Sequence, residues 1–237
     1  MRSIALVSVD GSIDFLCFPN FDSPSVFAAI LDPQRGGFLS ISPDIEDLHT
    51  RQLYLPDTNI LLTRFLSEAV VAEITDFMPI VESTDKKPYV HHILRMLRVI
   101  KGRITFRMRC APRFDYARSG HAAHNEQGAI CFVPESKNCP SLALHATFPM
   151  QLDGNDATAS FTLDAGEALL WLLVKSMKRR KQASPSSTPP MSTSISRKLR
   201  ASGAPGSGAP TTRAVGAKWS TAQLLCSSSF AAPSTAR

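Results

Sequence analysis

The stretch Arg103-Ile104-Thr105-Phe106-Arg107-Met108-Arg109 decides the fold class of this chain. Its apolar residues alternate strictly with arginine and threonine, and a period of two places one set on a buried face of a β-strand and the other in solvent. A helix would need apolar residues at intervals of three and four. The stretch therefore predicts an antiparallel strand with one covered face.

Similar short apolar runs, separated by turn residues, lie on both sides of this stretch. Three neighbouring pairs of runs predict β-hairpins around Asp10-Gly11, Ser67-Glu68 and Lys101-Gly102, and the first of these predicts a type I′ turn. Further strands are predicted at 37–41, 129–133, 142–148, 159–163 and 167–174, the last two joined by Asp164-Ala165-Gly166.

So many strands exceed what a single open sheet usually holds, roughly ten. We therefore expect an all-β fold, an antiparallel β-sandwich (supersandwich) over residues 1–174. Only Ser25 to Leu31, after Pro24, predicts a short helix.

Residues 175–237 have a different composition. All 20 acidic residues precede position 176, so residues 1–175 have a net charge of −4 (16 basic, 20 acidic) and residues 176–237 have +10. The remainder is rich in Ser, Thr, Pro, Gly and Ala and has no apolar period. It cannot bury enough apolar surface to offset its ordering entropy, and we predict a second region, 175–237, that is a disordered basic tail.

Metal, cofactor and nucleic-acid sites are not indicated by spacing. The five cysteines are scattered without a C-x-x-C motif, and His91-His92 and His121-x-x-His124 lack a third ligand at a recognisable spacing, so we expect no metal and no cofactor. The basic run Lys178-Arg179-Arg180-Lys181 has no interleaved aromatics, so we expect no specific nucleic-acid binding. No apolar run reaches the roughly 18 residues that cross a bilayer, which favours a cytoplasmic protein without a membrane partner.

Aspartates are common at the predicted turns. Two carboxyl groups at a fixed separation can hydrolyse a glycosidic bond, one as general acid and one as base or nucleophile. Aspartates also stabilise turns by accepting hydrogen bonds from neighbouring amides, and spacing alone does not separate the two roles. The residues concerned are Asp14, Asp22, Asp57, Asp76 and Asp115.

Four segments together resemble the N-terminal domain of bacterial glycoside hydrolase family 15, the glucoamylase and trehalase-like group. They are DGSIDFLC (10–17) with FDSPSVF (21–27), YLPDTN (54–59), EITDFMP (73–79) and RCAPRFDY (109–116). The resemblance covers nearly all of 3–174. It implies a β-sandwich that is followed in full-length members by a helical linker and an (α/α)6 barrel, which carries both catalytic glutamates.

This resemblance implies a non-catalytic domain that is inactive alone and has no catalytic residue of its own. Its expected partners are the catalytic barrel and an α-glucan or trehalose. An exposed barrel-facing surface would favour oligomers or aggregation. Aromatics beside Asp and Arg suit sugar binding, so the expected substrate-binding, barrel-facing residues are Phe21, Asp22, Arg113, Asp115 and Tyr116.

Two alternatives stay open at this point. The sandwich could be a free-standing carbohydrate-binding module, or it could be a protein-interaction module that recruits a partner through the same surface or through the tail.

The tail itself fits a shifted reading frame, because synonymous codons exist for which Lys175 to Gln182, read two bases later, give the acidic string EHEEAEA. We therefore predict that 175–237 is a frameshifted linker and barrel start.

Overall fold

The structure is a computed structural model that describes residues 3–45, 47–79 and 92–176. The chain divides into two units, Met1–Gln182 and Ala183–Arg237, and all described residues belong to the first. The predicted disorder of 175–237 therefore concerns residues that, apart from Lys175 and Ser176, lie outside the described ones.

Two antiparallel sheets form this unit, which confirms the predicted all-β sandwich. The first sheet contains β1 (Ala5–Val7), β2 (Ile13–Cys17), β3 (Ser25–Ala28), β4 (Phe38–Pro43), β9 (Arg103–Ala111), β13 (Gln151–Asp153) and β14 (Asp156–Asp164). The second contains β5 (His49–Tyr54), β6 (Leu61–Leu66), β7 (Val71–Phe77), β8 (His92–Lys101), β10 (His121–Glu126), β11 (Ala129–Pro134), β12 (Leu142–Ala146) and β15 (Ala168–Lys175).

The strand β9 lies in the middle of the first sheet, whose order is β1-β2-β4-β9-β14-β13, with β3 also paired to β2. Ile104, Phe106 and Met108 are buried, whereas the arginines between them are exposed. The second sheet has the order β10-β11-β12-β15-β8-β7-β6-β5 and covers the apolar face of the first. The alternation in the sequence thus identifies the covered face correctly.

Two of the predicted hairpins are confirmed, β1 with β2 and β6 with β7. The type I′ turn predicted at Asp10-Gly11 is wrong, because only Gly11 of this pair has a positive φ, +84°. Gly11 N donates to Ser8 O at 2.9 Å, and Ser8 N donates to Ser12 O at 2.8 Å. The chain therefore makes a four-residue turn in which glycine occupies the left-handed position.

The third predicted hairpin, at Lys101-Gly102, is wrong. The strand β8 pairs with β7 and β15, whereas β9 pairs with β4 and β14, so Gly102 connects the two sheets. The same holds for β14 and β15, which follow each other through Ala165 and Gly166 in different sheets. Each strand has a continuous apolar face, and crossing to the opposite sheet lets consecutive strands cover each other's apolar faces.

The predicted helix at Ser25 to Leu31 is also wrong, because Ser25–Ala28 forms β3. Its partner is β2, with Leu16 opposite Phe27 and Phe15 opposite Ala28. All four residues of β3 are buried, whereas a surface helix would bury only one face. Burial of the whole segment between β2 and the following loop overrides the local preference suggested by Pro24.

The space between the sheets contains aromatic side chains and one buried ion pair. Phe65 of the second sheet and Phe106 of the first have ring centroids 6.4 Å apart. Arg95 Nε and Nη2 donate to Asp76 at 2.7 and 3.0 Å, and Arg95 Nη1 donates to Leu39 O at 2.9 Å. Because Leu39 belongs to the first sheet and Arg95 to the second, this pair also ties the sheets together.

Candidate functional site

The predicted site residues occupy two segments that meet at one end of the sandwich. Phe21 and Asp22 lie in the loop between β2 and β3, and the other three follow β9. Arg113 N donates to Val26 O at 2.9 Å, and Tyr116 N donates to Ser25 Oγ at 2.7 Å. The structure therefore brings both segments to the start of β3, although about 90 residues separate them in the chain.

The segment after β9 is a strained left-handed turn. It is the single helical turn α1 (Phe114–Ala117), and Asp115, Tyr116 and Ala117 have φ values of +53°, +56° and +61°. Non-glycine residues in this conformation cost roughly 1–2 kcal/mol each. Strain of this kind persists only where surrounding contacts determine the backbone, and it is common at functional sites.

Contacts on both sides hold this turn in place. The Phe114 side chain is fully buried, and its ring lies edge-on to the His121 imidazole at 5.4 Å between centroids. Arg118 Nη2 donates to Asp115 Oδ1 at 2.7 Å, and Arg118 N donates to Asp115 O at 3.0 Å. Phe114 thus holds the turn on its buried side and the Arg118–Asp115 pair holds it on its solvent side, together with the bond from Tyr116 N to Ser25.

The Tyr116 side chain is half exposed, at 45%. Its hydroxyl forms a hydrogen bond with the buried Cys17 thiol, and that thiol raises the pKa of Tyr116. The phenol therefore stays a neutral hydrogen-bonding group. The Arg118 guanidinium lies 5.9 Å from the ring centroid, within cation–π range.

Phe21 and Asp22 are exposed, Phe21 at 55%. Within the described part of the chain, Asp22 has no hydrogen-bond or ion-pair partner. The backbone turn here is closed instead by Asn20 N, which donates to Ser23 Oγ at 3.1 Å. Among the described residues Asp22 thus does not brace its turn, and both side chains face solvent.

Arg113 is engaged in a charged cluster with Asp156. The Asp156 side chain is 5% exposed and accepts bonds from Arg113 Nη1 at 2.7 Å and Arg109 Nη2 at 2.8 Å. Burial raises the pKa of Asp156, but the hydrogen bonds and charges of Arg113 and Arg109 outweigh that effect and hold its pKa below the ordinary value. Asp156 is therefore an ionised anchor for the two arginines.

A cleft of about 540 Å³ opens beside this cluster. His121 Nε2 lies 3.0 Å from Asn155 O, and Asn155 Nδ2 donates to His121 O at 2.8 Å, so two edges of the cleft are joined. The lining consists of Arg113, Ala117, Ser119, Gly120, His121, Glu135, Asp153, Asn155 and Asp156. Carboxylates, an amide, an imidazole and a guanidinium in one open cleft suit a ligand with many hydroxyl groups.

Sequence reasoning missed the cleft residues contributed by distant strands. Glu135 follows β11, and Asp153, Asn155 and Asp156 belong to the hairpin between β13 and β14. The tetrapeptide Asp153-Gly154-Asn155-Asp156 is a recognisable hairpin turn, with Gly154 at φ +60°, and could have identified this polar edge. Its proximity to Arg113 depends on the pairing of β14 with β9, which no local pattern reveals.

The histidines considered as metal ligands from the sequence are not brought together as pairs in the described residues. His91 lies outside them, and His121 and His124 point to opposite faces of β10, His121 towards Phe114 and Phe132. No helix in the described ranges is long and apolar enough to span a bilayer.

Fold and cleft together define a β-sandwich domain with a solvent-open, polar cleft at one end. Residues 1–192 match the family described as "Trehalase-like, N-terminal", and the chain belongs to this family. A trehalase of Thermoplasma acidophilum is 37% identical over 135 residues, which are 56% of this chain and 23% of the relative. A trehalase of Mycobacterium tuberculosis is 29% identical over 192 residues, covering 72% of this chain and 28% of the relative.

The chain spans less than a third of the length of the curated relatives it matches, from 22% for a trehalase of Sulfolobus acidocaldarius to 29% for that of Mycolicibacterium smegmatis. What the chain shares with these trehalases is therefore one part of each protein.

Proposed function

We propose that the chain is the non-catalytic N-terminal domain of a family 15 α-glucoside hydrolase, and that hydrolysis takes place in an (α/α)6 barrel outside these 237 residues. The match to the trehalase-like N-terminal family over residues 1–192 carries this proposal, together with relatives of which the chain covers only 23% and 28%. The substrate class would be trehalose or a short α-glucan, since the matched relatives are named trehalases.

The two segments at the start of β3 form the surface that would face the barrel and its substrate. Phe21 and Tyr116 offer exposed aromatic faces that suit the apolar face of a sugar, and Tyr116 adds a hydroxyl group for hydrogen bonding. Asp22 adds a carboxylate without a partner among the described residues. These three side chains would make the contacts.

Arg113 and Asp115 have a different role in this proposal. Arg113 is paired with Asp156, and Asp115 with Arg118. Breaking either pair to bind a ligand would lose a charge-assisted hydrogen bond. Both residues therefore position the left-handed turn and hence Tyr116.

Inactivity of the isolated domain follows from the chemistry of inverting hydrolysis. Two carboxyl groups roughly 6.5–9.5 Å apart must flank the bond, one protonated as general acid. Asp156, the most buried carboxylate of the cleft, has a lowered pKa and stays ionised, the opposite of a general acid. The open cleft also leaves the sugar in contact with water.

The test is glucose release from trehalose and maltose by the purified chain, compared with a mock preparation and with the Glu135→Gln variant. We expect the chain and the mock preparation to give the same rate. Turnover above the mock preparation that is lost in Glu135→Gln would contradict the assignment as a non-catalytic domain.

A free-standing carbohydrate-binding module is the second candidate. The cleft beside Tyr116 favours it, because its polar lining suits a ligand with many hydroxyl groups. Calorimetric titration with trehalose and maltooligosaccharides would detect binding at millimolar ligand. Phe21→Ala and Tyr116→Ala should weaken binding, whereas Tyr54→Ala should not, since Tyr54 is also an exposed aromatic residue but lies on β5, outside the site segments. The absence of heat at millimolar sugar would remove this candidate and leave the accessory role.

A further inference from the structure

The hairpin of β10 and β11 lies at the edge of the second sheet and has a defined register. Its two turn residues, Gln127 and Gly128, have φ values of +52° and +82°, as a type I′ turn requires. His124 is therefore opposite Cys131, and Glu126 is opposite Ala129. Residues two apart on a strand share a face, so His124, Glu126 and Cys131 project to the same side of the sheet.

The three side chains converge at distances that a metal ion would require. Glu126 Oε2 lies 3.6 Å from His124 Nε2 and 3.7 Å from Cys131 Sγ, and all three ligand atoms lie within 4.8 Å of one another. With zinc bonds of about 2.0–2.1 Å to nitrogen and oxygen and about 2.3 Å to sulfur, tetrahedral ligands are separated by roughly 3.3–3.6 Å. Two edges of the ligand triangle match these separations to within a few tenths of an ångström.

Burial and charge in this cluster also favour a cation. Cys131 is 7% exposed, whereas the side chains of His124 and Glu126 are 51% and 59% exposed. The thiol therefore lies on the buried side of the cluster, and the opposite side is open to water. The Cys131 thiol donates a hydrogen bond to Glu126 Oε2, so its sulfur already points towards the carboxylate, and a divalent ion bound between the two groups would replace the thiol proton.

We propose that His124, Glu126 and Cys131 form a binding site for a divalent ion of the zinc class, with water as the fourth ligand. The nitrogen, oxygen and sulfur set suits zinc, and the thiolate disfavours magnesium and calcium, which take oxygen ligands. Because its ligands come from both strands, the ion would crosslink β10 and β11 at an edge of the sheet. Because His121 lies on β10 and lines the cleft, the ion would also rigidify that wall.

The expectation from sequence that no metal binds rested on the spacing of the histidines. His121 and His124 indeed face opposite sides of the strand. The hairpin register adds Glu126 and Cys131 to His124 instead, and this H-x-E-x4-C spacing has meaning only once the two-residue turn is known.

Cobalt substitution and zinc titration of the full chain test the proposal directly. Co²⁺ should give thiolate charge-transfer absorption, which Cys131→Ser abolishes. His124→Ala and Glu126→Gln should each weaken Zn²⁺ binding by more than about tenfold. Even mutation of residues that only hydrogen-bond to metal ligands typically lowers metal affinity by ~10–100-fold. Matched controls are Cys226→Ser and His49→Ala, which remove a cysteine and an exposed histidine outside the cluster and should leave both signals unchanged.

Circular dichroism of each variant would verify folding, and His124 is exposed enough that its truncation should not disturb the sheet. The proposal is overturned if Co²⁺ gives no thiolate band with the wild-type chain, or if the band survives Cys131→Ser and disappears in Cys226→Ser. Equal zinc affinity in wild type and His124→Ala would overturn it as well.

Discussion

Replacing Ala117 by glycine should stabilise this protein, although most glycine substitutions destabilise. Ala117 is the third consecutive left-handed residue of α1, at φ +61°, and its side chain is exposed. Glycine adopts this conformation without steric cost, which relieves about 1–2 kcal/mol, while its greater freedom in the unfolded chain costs about 0.5–1 kcal/mol. The net effect should be about 0.5–1 kcal/mol in favour of the variant.

The same reasoning accounts for how the wild-type turn persists. Three left-handed residues cost roughly 3–6 kcal/mol together. Burial of Phe114 contributes about 1.5–3 kcal/mol, and the bond from Tyr116 N to Ser25 Oγ adds about 0.5–1.5 kcal/mol. The contacts thus roughly offset the strain, so the turn adds little to global stability.

Urea unfolding monitored by far-ultraviolet circular dichroism would measure the effect as a shift in midpoint. The matched control is Ala165→Gly, at an exposed turn residue outside the positive-φ set, which should destabilise by about 0.4–1 kcal/mol. Opposite signs for the two variants support the argument from strain. If Ala117→Gly destabilises as much as Ala165→Gly, the turn is not strained and its proposed role loses its physical basis.

Other predictions concern the charged groups and the tail. Asp76→Asn leaves the buried Arg95 charge without an opposite charge and should cost about 3–5 kcal/mol in chemical denaturation, whereas Asp76→Leu combined with Arg95→Met should recover most of that loss. Asp156→Asn should cost about 1–3 kcal/mol at neutral pH. Because the folded pKa of Asp156 lies below its ordinary value of 3.8, its contribution is present above that pH and is lost as pH falls through the folded pKa, so wild type and variant should converge in acid-denaturation profiles. Sequencing the DNA that encodes 170–237 should reveal the linker and barrel start two bases out of frame, and an uninterrupted frame without them would refute the predicted frameshift.

Fold class was predictable because β9 has one apolar and one charged face, and burial follows that pattern residue by residue. Connections were less predictable. Lys101-Gly102 and Ser67-Glu68 look alike as turns, yet the first connects different sheets and the second closes a hairpin. A turn sequence specifies a local reversal, whereas the sheet that the next strand joins depends on which partner covers its apolar face.

The candidate site was predictable only where its residues are neighbours in sequence. Phe21, Asp22, Arg113, Asp115 and Tyr116 were predicted as site residues because aromatic and charged residues are adjacent there. Asp156 was missed because it reaches Arg113 through the pairing of β14 with β9, and the left-handed turn was missed because no residue preference favours three such residues in a row.

Positioning residues and contacting residues can be distinguished by measuring both the binding affinity and the stability of each variant. Loss of Asp115 or Arg113 should reduce ligand or barrel affinity by releasing the turn. Loss of Phe21 should reduce affinity without any change in stability, since its side chain is exposed. A site in which all five residues lose affinity and stability together would instead be a structural corner of the sandwich, with its recognition surface elsewhere.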